Sequence, residues 1–217
     1  MNASLSIPHF GYADEIDVTA LQDLRASLKP AAEAMGIRLS PLAIMIKAAS
    51  IALTSHPVLN SSLSPDSSEI IYHNAHNIGV AMDTPRGLIV PNIKSVQSLS
   101  IFEVARELNR LQADGQAGAG LKEADLKDTT FSMSNIGAIG GTYMSPVITP
   151  PQVAIGAIGK VQTLPRFDSD GNVAAVKIME VSWAGDHRIV DGATMARFSN
   201  EWKGMLENPS LILASTR

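Results

Sequence analysis

A histidine beside two carboxylates is the first group in this sequence that could do chemistry. His187 lies between Asp186 and Arg188, just after a segment rich in β-branched residues, and Asp191 follows four residues later. An unperturbed histidine titrates near pH ~6.5, so on a loop it can serve as a general base at neutral pH. Asp191 can cap a helix that begins at Gly192 and can fix the loop that carries His187. The alternatives are a purely structural loop histidine and a metal site, but a metal site would lack a second histidine or cysteine nearby.

A second candidate is the glycine-rich segment that follows a predicted strand ending at Ser134 and Asn135. Gly137, Gly140 and Gly141 allow the backbone to pass close to a bulky group. Such a loop can offer a hydroxyl and backbone N–H groups to an oxyanion that develops during a reaction. The simpler interpretation is a turn that lets two strands cross. The glycine order does not fit a dinucleotide-binding loop, and no helix is predicted behind it.

The remaining histidines are interpreted as structural. His73 and His76 are three residues apart in an extended segment, so they project to opposite faces and do not form a metal-binding pair. His9 lies in an aromatic segment and is expected to pack. His56 precedes a proline at a helix end, where it can interact favourably with the helix dipole.

The composition limits the kinds of partner. With 217 residues, a net charge of −4 and a pI of about 5.7, nothing favours nucleic acid or an anionic membrane. The lack of cysteine excludes disulfides, thiolate metal sites and a cysteine nucleophile. No apolar segment reaches the ~20 residues of a membrane span, and no targeting peptide is recognised. The charged fraction of 18% is low, which favours a surface partly buried against other subunits, although a monomer with a well-filled core would also explain it.

Mixed helices and strands must position these residues. Helices are predicted over 18–35 (capped by Asp17 and kinked or split at Pro30), 41–55 (behind Ser40), from the capping box of Ser100 and Glu103 onward, over 121–126 and over 192–207. Strands are predicted over 70–73, 78–83, 87–91, 129–134, 153–158, 161–167 and 173–183, with turns at 84–87 and 168–171. Residues 60–69 and 113–120 are predicted to be loops. This order predicts an α/β or α+β fold in which helices cover an open sheet.

Three segments together resemble the acyltransferase cores of the 2-oxo acid dehydrogenase complexes, the dihydrolipoyl acyltransferases (E2). They are Asp186 to Ala193, Ser134 to Thr142 and Pro150 to Gly156. The resemblance runs from Ile7 to Pro209 and extends beyond this family to chloramphenicol acetyltransferase. It implies a chloramphenicol-acetyltransferase-like, trimer-forming mixed sheet covered by helices. It also implies one catalytic domain over residues 1–217, with the lipoyl and peripheral-subunit-binding domains outside this chain.

Within the family, three features resemble the branched-chain type: Pro8 to Tyr12, the Ser-Asn-Ile-Gly form of the serine loop, and Met195 to Asn200. That type implies transfer of an isobutyryl, isovaleryl or 2-methylbutanoyl group from dihydrolipoyl-lysine to coenzyme A. It also implies homotrimers in a cubic 24-mer, with Leu211 to Leu213 docking on an adjacent trimer. The E1 decarboxylase and E3 dihydrolipoamide dehydrogenase would be partners through domains outside this chain. The location would be the mitochondrial matrix or the bacterial cytoplasm.

The resemblance also implies roles for individual residues, because the family's active site lies in a channel between two subunits. His187 would be the base from one chain, Ser134 the oxyanion donor from its neighbour, and Asp191 the residue that holds the histidine loop, without a metal. Coenzyme A contacts are implied at Arg25, Ser40, Asp83, Gln112, Ser134, Asn135, Gly159 and Val161. Of these, Arg25 has an independent reason to meet a phosphate.

Four alternatives stay open from the sequence. They are an acetyl- or succinyl-transferring core, a non-catalytic core homologue that only builds the scaffold, a free-standing acetyltransferase for a small acceptor such as chloramphenicol, and a simple binding module. A non-catalytic homologue would be marked by loss of the histidine, which is present here. The size of the assembled particle separates a single trimer from a cubic core.

Overall fold

The computed structural model describes residue 4 and residues 6–85, 87–117 and 120–215. The strands are β1 (His9–Asp17), β2 (Ser61–Leu63), β3 (Ile70–Tyr72), β4 (Ile78–Thr84), β5 (Gly87–Ile89), β6 (Asn92–Ile93), β7 (Phe131–Asn135), β8 (Ala154–Phe167) and β9 (Val173–Asp186). The α-helices are α1 (Thr19–Ala34), α2 (Pro41–Ser55), α3 (Ile101–Ala117), α4 (Glu123–Leu126), α5 (Gly192–Glu207) and α6 (Ser210–Ser215).

Seven strands of the described residues form one mixed sheet in the order β1-β9-β8-β7-β4-β5, with β6 beside β4. The central strands β4, β7 and β8 run parallel, and the outer pairs are antiparallel. A separate two-stranded sheet joins β2 to β3. The expected mixed sheet covered by helices is confirmed.

The core lies between this sheet and the helices. Trp183 of β9 packs edge-on against Phe198 and Trp202 of α5, with ring centroids 5.1 Å apart in both pairs. Its indole Nε1 donates to Ser199 Oγ at 3.0 Å, so the buried polar atom is satisfied. Helix α2 is buried on most faces, as its apolar composition predicts. Among the described residues, no helix combines the length and the apolar character needed to cross a bilayer.

Most of the predicted element boundaries are confirmed. Helix α5 has the predicted bounds, and α3 starts behind a capping box in which Ser100 N–H donates to Glu103 at 2.7 Å. Helix α1 starts at Thr19, and its N-cap is Val18 rather than the predicted Asp17, although Thr19 N–H donates to the Asp17 carboxylate at 2.8 Å. The hairpin of β4 and β5 is present, and Arg86 of its turn lies outside the described residues.

Four expectations were wrong in part. Helix α1 is not split at Pro30, where a kink or a split was expected. Ser40 begins α2 but makes no side-chain cap hydrogen bond. Residues 61–63 of the predicted loop form buried β2, because they pair with β3. Residues 113–117 of the other predicted loop are the last turn of α3, and residues 118 and 119 lie outside the described residues.

Candidate active site

The loop that carries His187 connects the end of β9 to the start of α5. Backbone N–H groups of Ile189 and Val190 donate to the Asp186 carbonyl at 3.0 and 2.8 Å, and His187 N–H donates to Pro8 O at 2.9 Å. The imidazole itself is exposed, and the described part of the chain gives its ring nitrogens no hydrogen-bond partner. The backbone of this histidine is therefore fixed while its ring is free to meet another molecule.

An aromatic side chain supports the imidazole. The Phe10 ring centroid lies 5.1 Å from that of His187, with the planes tilted by 59°. A Cβ added at Gly192 would lie 3.1 Å from Phe10 Cζ, which is closer than nearly all real contacts. The glycine at the start of α5 thus gives Phe10 the space to lie beside the histidine.

Asp191 is the N-cap of α5, as the sequence predicts. Its carboxylate accepts from Thr194 N–H at 2.7 Å. Hydrogen bonds from Thr194 lower the pKa of the Asp191 carboxyl, so it is ionised at neutral pH and complements the helix N-terminus. Asp191 therefore ties the end of the histidine loop to α5.

Ser134 lies on β7 between Ala81 of β4 and Ala157 of β8. Phe131 and Met133 are in the core, so alternation along the strand sends Ser134 to the face away from the helices. The hydroxyl-bearing residue is half-buried at the end of the strand where the glycine-rich loop begins.

The glycine-rich loop packs directly on the backbone of β8. A Cβ added at Gly137 would lie 2.3 Å from Gly159 O, a distance that no side chain can tolerate. Gly140 and Gly141 follow with φ of +155° and +88°, conformations that favour glycine. The glycines therefore do let the loop approach another group closely, and that group is the backbone of β8 in the same chain.

One chain does not bring His187 and Ser134 together. The register places Ser134 opposite Ala157 and Ala157 opposite Ser182, whereas His187 is five residues beyond Ser182 along the chain. With ~3.3 Å per residue and ~4.8 Å between strands, the two backbones are roughly 19 Å apart. A site that uses both side chains needs a second chain.

Three of the predicted coenzyme A residues line one cleft of about 330 Å³. They are Asp83 at the end of β4, Gln112 on α3 and Asn135 at the end of β7. Arg38 lines the same cleft, and its guanidinium donates to Gln112 Oε1 at 2.8 Å. Arg38 was not among the predicted contacts, although a cation three residues before the start of α2 was a usable signal.

The other predicted contacts lie at the same end of the sheet, beside this cleft. Arg25 Nε donates to Leu39 O at 2.9 Å, next to Ser40. Ser40 Oγ is buried and has no hydrogen-bond partner within the described residues, so it is available to a polar ligand. Gly159 lies within the irregularity of β8 that contacts the serine loop, and exposed Val161 comes directly after it. Ser134 is not among the residues that line the cleft.

The other histidines have structural partners. Buried His76 shares a hydrogen bond of 2.8 Å with Ser50 Oγ, and burial lowers the pKa of its imidazole. The remaining pairs are His73 with Ser62, His56 with Glu201, and His9 with Ile7 O and Ile148 N. Within the described residues, no group of three or more histidine, aspartate or glutamate side chains is placed to hold a metal ion.

Comparison with known proteins identifies relatives over the whole chain. The chain is 57% identical over 213 residues to the mitochondrial lipoamide acyltransferase component of the branched-chain alpha-keto acid dehydrogenase complex of Mus musculus. That match covers 98% of this chain and 44% of the mouse protein. It is 39% identical, over 98% of this chain and 49% of the other, to the dihydrolipoyllysine-residue acetyltransferase component of the pyruvate dehydrogenase complex of Staphylococcus aureus. The chain thus spans about half the length of the curated relatives it matches.

Solved structures agree with this assignment. Dihydrolipoamide acetyltransferase of Azotobacter vinelandii, studied for the roles of a serine, a histidine and an asparagine in its mechanism, superimposes with a TM-score of 0.93. It is 32% identical and the match covers 98% of this chain and 87% of that one. The cubic core of a pyruvate dehydrogenase multienzyme complex also gives 0.93, at 31% identity and the same coverage. Chloramphenicol acetyltransferase, at 14% identity, a TM-score of 0.57 and coverage of 92% and 86%, shares the fold alone.

The family of the 2-oxoacid dehydrogenases acyltransferase (catalytic domain) matches residues 1–214. The signature segments around His187 and Ser134 lie inside this match. The chain therefore belongs to this acyltransferase family.

Proposed function

We propose that this chain transfers a branched-chain acyl group from dihydrolipoyl-lysine to coenzyme A, at a site shared by two copies of the chain. The observation that carries the proposal is that the backbones of His187 and Ser134 lie roughly 19 Å apart within one chain, in a family of acyltransferases. The higher identity to the branched-chain relative, 57% against 39% for the acetyltransferase, favours the branched-chain substrate.

The proposed chemistry assigns a role to three side chains. His187 takes the proton from the coenzyme A thiol, and the thiolate forms a bond to the carbonyl carbon of S-acyl-dihydrolipoamide. Ser134 of the neighbouring chain donates a hydrogen bond to the oxyanion of the tetrahedral intermediate. The bond to the dihydrolipoamide sulfur then breaks, and that sulfur takes the proton back from His187. Asp191 holds the histidine loop through its cap on α5.

The spacing of these residues supports the assignment. In the Azotobacter enzyme the histidine follows the serine by 52 residues and the asparagine follows the histidine by four. Here His187 follows Ser134 by 53 residues and Asp191 follows His187 by four. This chain has a carboxylate where that enzyme has an amide, which keeps the cap but adds a negative charge.

We further propose a homotrimer that assembles into a cubic core, by analogy with the cubic core that superimposes on this chain. Residues 1–217 would act as one catalytic domain, with the lipoyl group delivered by a separate domain. E1 and E3 would associate through domains outside this chain. The mitochondrial names of the branched-chain relatives favour the mitochondrial matrix. The exposed side chains of Leu211 and Leu213 on α6 would dock against an adjacent trimer.

The test compares turnover of isobutyryl-, acetyl- and succinyl-dihydrolipoamide with coenzyme A. The isobutyryl donor is expected to give the highest kcat/KM, and a preference for the acetyl or succinyl donor would reject the branched-chain assignment.

His187→Ala should nearly abolish transfer while assembly survives. Ser134→Ala should lower kcat by ~10²–10³ with a much smaller change in KM, because the hydroxyl acts on the transition state. Particle mass separates a cubic core from a single trimer.

A further inference from the structure

The residues on either side of His187 form an ion pair across it. Asp186 is 1% exposed, and its carboxylate accepts three contacts from the Arg188 guanidinium. Arg188 Nε lies 2.9 Å from Oδ1 and 3.2 Å from Oδ2, and a terminal nitrogen lies 2.6 Å from Oδ2. Arg188 backbone N–H also donates to Oδ1 at 3.1 Å. The pair is therefore bidentate, the geometry that gives arginine–carboxylate pairs their strength and orientation.

This pair is anchored to the sheet rather than to the loop alone. Asp186 N–H donates to Val153 O of the neighbouring segment at 2.8 Å, and the Asp186 carbonyl accepts two N–H groups from the loop. A buried carboxylate is costly unless it is paired and hydrogen-bonded. The guanidinium that satisfies it comes from the residue just after the histidine. The two side chains thus close a short ring of contacts around the His187 backbone.

We propose that Arg188 is a positioning residue for the base: with Asp186 it forms a clamp that fixes His187 and neutralises the buried charge beside it. This inference rests on the proposed role of His187 as the base. Arg188 acts through the histidine and is not assigned a contact with substrate.

The groups around His187 make its charge environment depend on Arg188. Asp186 ends β9 and Arg188 follows in the loop, while Asp191 caps α5 and Arg197 lies within it. From β1, His9 faces Asp186 in the register, and its Nε2 accepts from Ile148 N–H. Without the guanidinium, Asp186 would be an uncompensated negative charge next to the histidine. A neighbouring negative charge favours protonated imidazole.

The experiment compares Arg188→Gln with Arg166→Gln in the assembled protein. Arg166 pairs with Glu15 at 2.7 Å and its side chain is 38% exposed, close to the 40% of Arg188, but it lies on β8 away from the histidine loop. Arg188→Gln should lower kcat ~10–100-fold with KM for coenzyme A nearly unchanged, because misplacing the base affects the reaction more than binding at the far end of the sheet. Arg166→Gln should leave kcat within about twofold, since exposed ion pairs contribute little.

A second readout does not depend on turnover. Diethyl pyrocarbonate reacts with neutral imidazole, so its rate at His187, followed by mass spectrometry against pH, reports the protonation of that ring. The midpoint should move to higher pH in Arg188→Gln and stay in place in Arg166→Gln. In Asp186→Asn/Arg188→Gln, which has no charge to neutralise, it should return to the wild-type value.

The outcomes separate this inference from the proposed function. An unchanged midpoint in Arg188→Gln overturns the clamp, whether or not the protein transfers acyl groups. If the wild type transfers no acyl groups but the midpoint still shifts in Arg188→Gln, the charge effect is supported and the proposed function is rejected. If Arg188→Gln does not assemble, Arg188→Lys carries the test: it keeps the charge but not the bidentate pair, so kcat should fall while the midpoint stays. Wild-type kcat in Arg188→Lys would overturn the positioning role.

Discussion

Gly137→Ala should displace the serine loop, because the added Cβ would overlap with backbone atoms of β8. The added Cβ would lie 2.3 Å from Gly159 O, 0.7 Å short of the 3.0 Å below which real Cβ contacts essentially never occur. It would also lie 2.8 Å from the Gly159 carbonyl carbon and 3.1 Å from Lys160 Cα. All three are backbone atoms, so no rotamer change can relieve the overlap. The loop must move away from β8 by at least that 0.7 Å.

This displacement acts on the site because Gly137 lies only three residues after Ser134. We expect kcat for acyl transfer to fall by ~10²-fold, the effect of a misplacement approaching 1 Å at an active site. The free energy of unfolding should fall by about 1–3 kcal/mol, as for other overpacked positions. Both are measured on the assembled protein, by steady-state transfer to coenzyme A and by urea unfolding at one protein concentration.

The control is Gly204→Ala in α5, where the new Cβ meets no atom within 4 Å. That change should keep full activity and raise the free energy of unfolding by about 0.5–1 kcal/mol, because alanine favours the helix. Wild-type kcat in an assembled Gly137→Ala protein would refute the argument that contact between the loop and β8 positions Ser134.

Two further predictions concern the scaffold. Gly156→Ala places a Cβ 2.3 Å from the Trp183 ring, which is held by its buried neighbours. The free energy of unfolding, measured in urea, should therefore fall by about 1–3 kcal/mol. An unchanged free energy would mean that the ring can move. Hydrogen bonding to Arg110 lowers the pKa of the Asp125 carboxyl, so the pair stabilises the fold above about pH 4 and is lost as the pH falls through the lowered value. Asp125→Asn should therefore lower the free energy of unfolding by about 1.5–3 kcal/mol at pH 7. As the pH is lowered, the variant should lose less of this free energy than the wild type does. Equal losses in the two proteins would contradict the prediction.

Local patterns predicted the elements where the local signal and the tertiary contacts agree. The apolar stripe of α3 was read correctly from its 3.6-residue spacing, because the same residues are buried. Its last turn was missed because Ala113 to Ala117 contains glycine, which favours a loop. In the structure Gly115 lies against Ile89 and Thr84 of the hairpin, and Gln116 Nε2 donates to Asp83 O at 2.9 Å. Contacts far away in sequence hold a turn that its own residues would not.

The candidate site was likewise predicted only in part. Residue type and spacing made His187, Ser134 and Asp191 candidates, since a loop histidine, a strand-end serine and a helix cap are local features, but structural interpretations stayed open and the roles came from the resemblance to the acyltransferase family. Their distance could not be read from the sequence, because it depends on which strands pair and in which direction. The clamp of Asp186 and Arg188 was also missed: neighbours at i and i+2 in a loop meet only if the loop is tightly turned, and burial decides which carboxylate needs a partner.

The separation of His187 and Ser134 leads to a complementation test. In a cyclic trimer each interface would combine the histidine of one chain with the serine of the next. When His187→Ala and Ser134→Ala chains are expressed together in equal amounts and assemble at random, a complete site needs an intact histidine from one variant beside an intact serine from the other. This occurs at about a quarter of the interfaces, so transfer should recover to about a quarter of the wild-type rate. Separately purified variants mixed after assembly should not recover, which controls for contamination. If the two side chains acted within one chain, every site would lack one of them and co-expression would restore nothing.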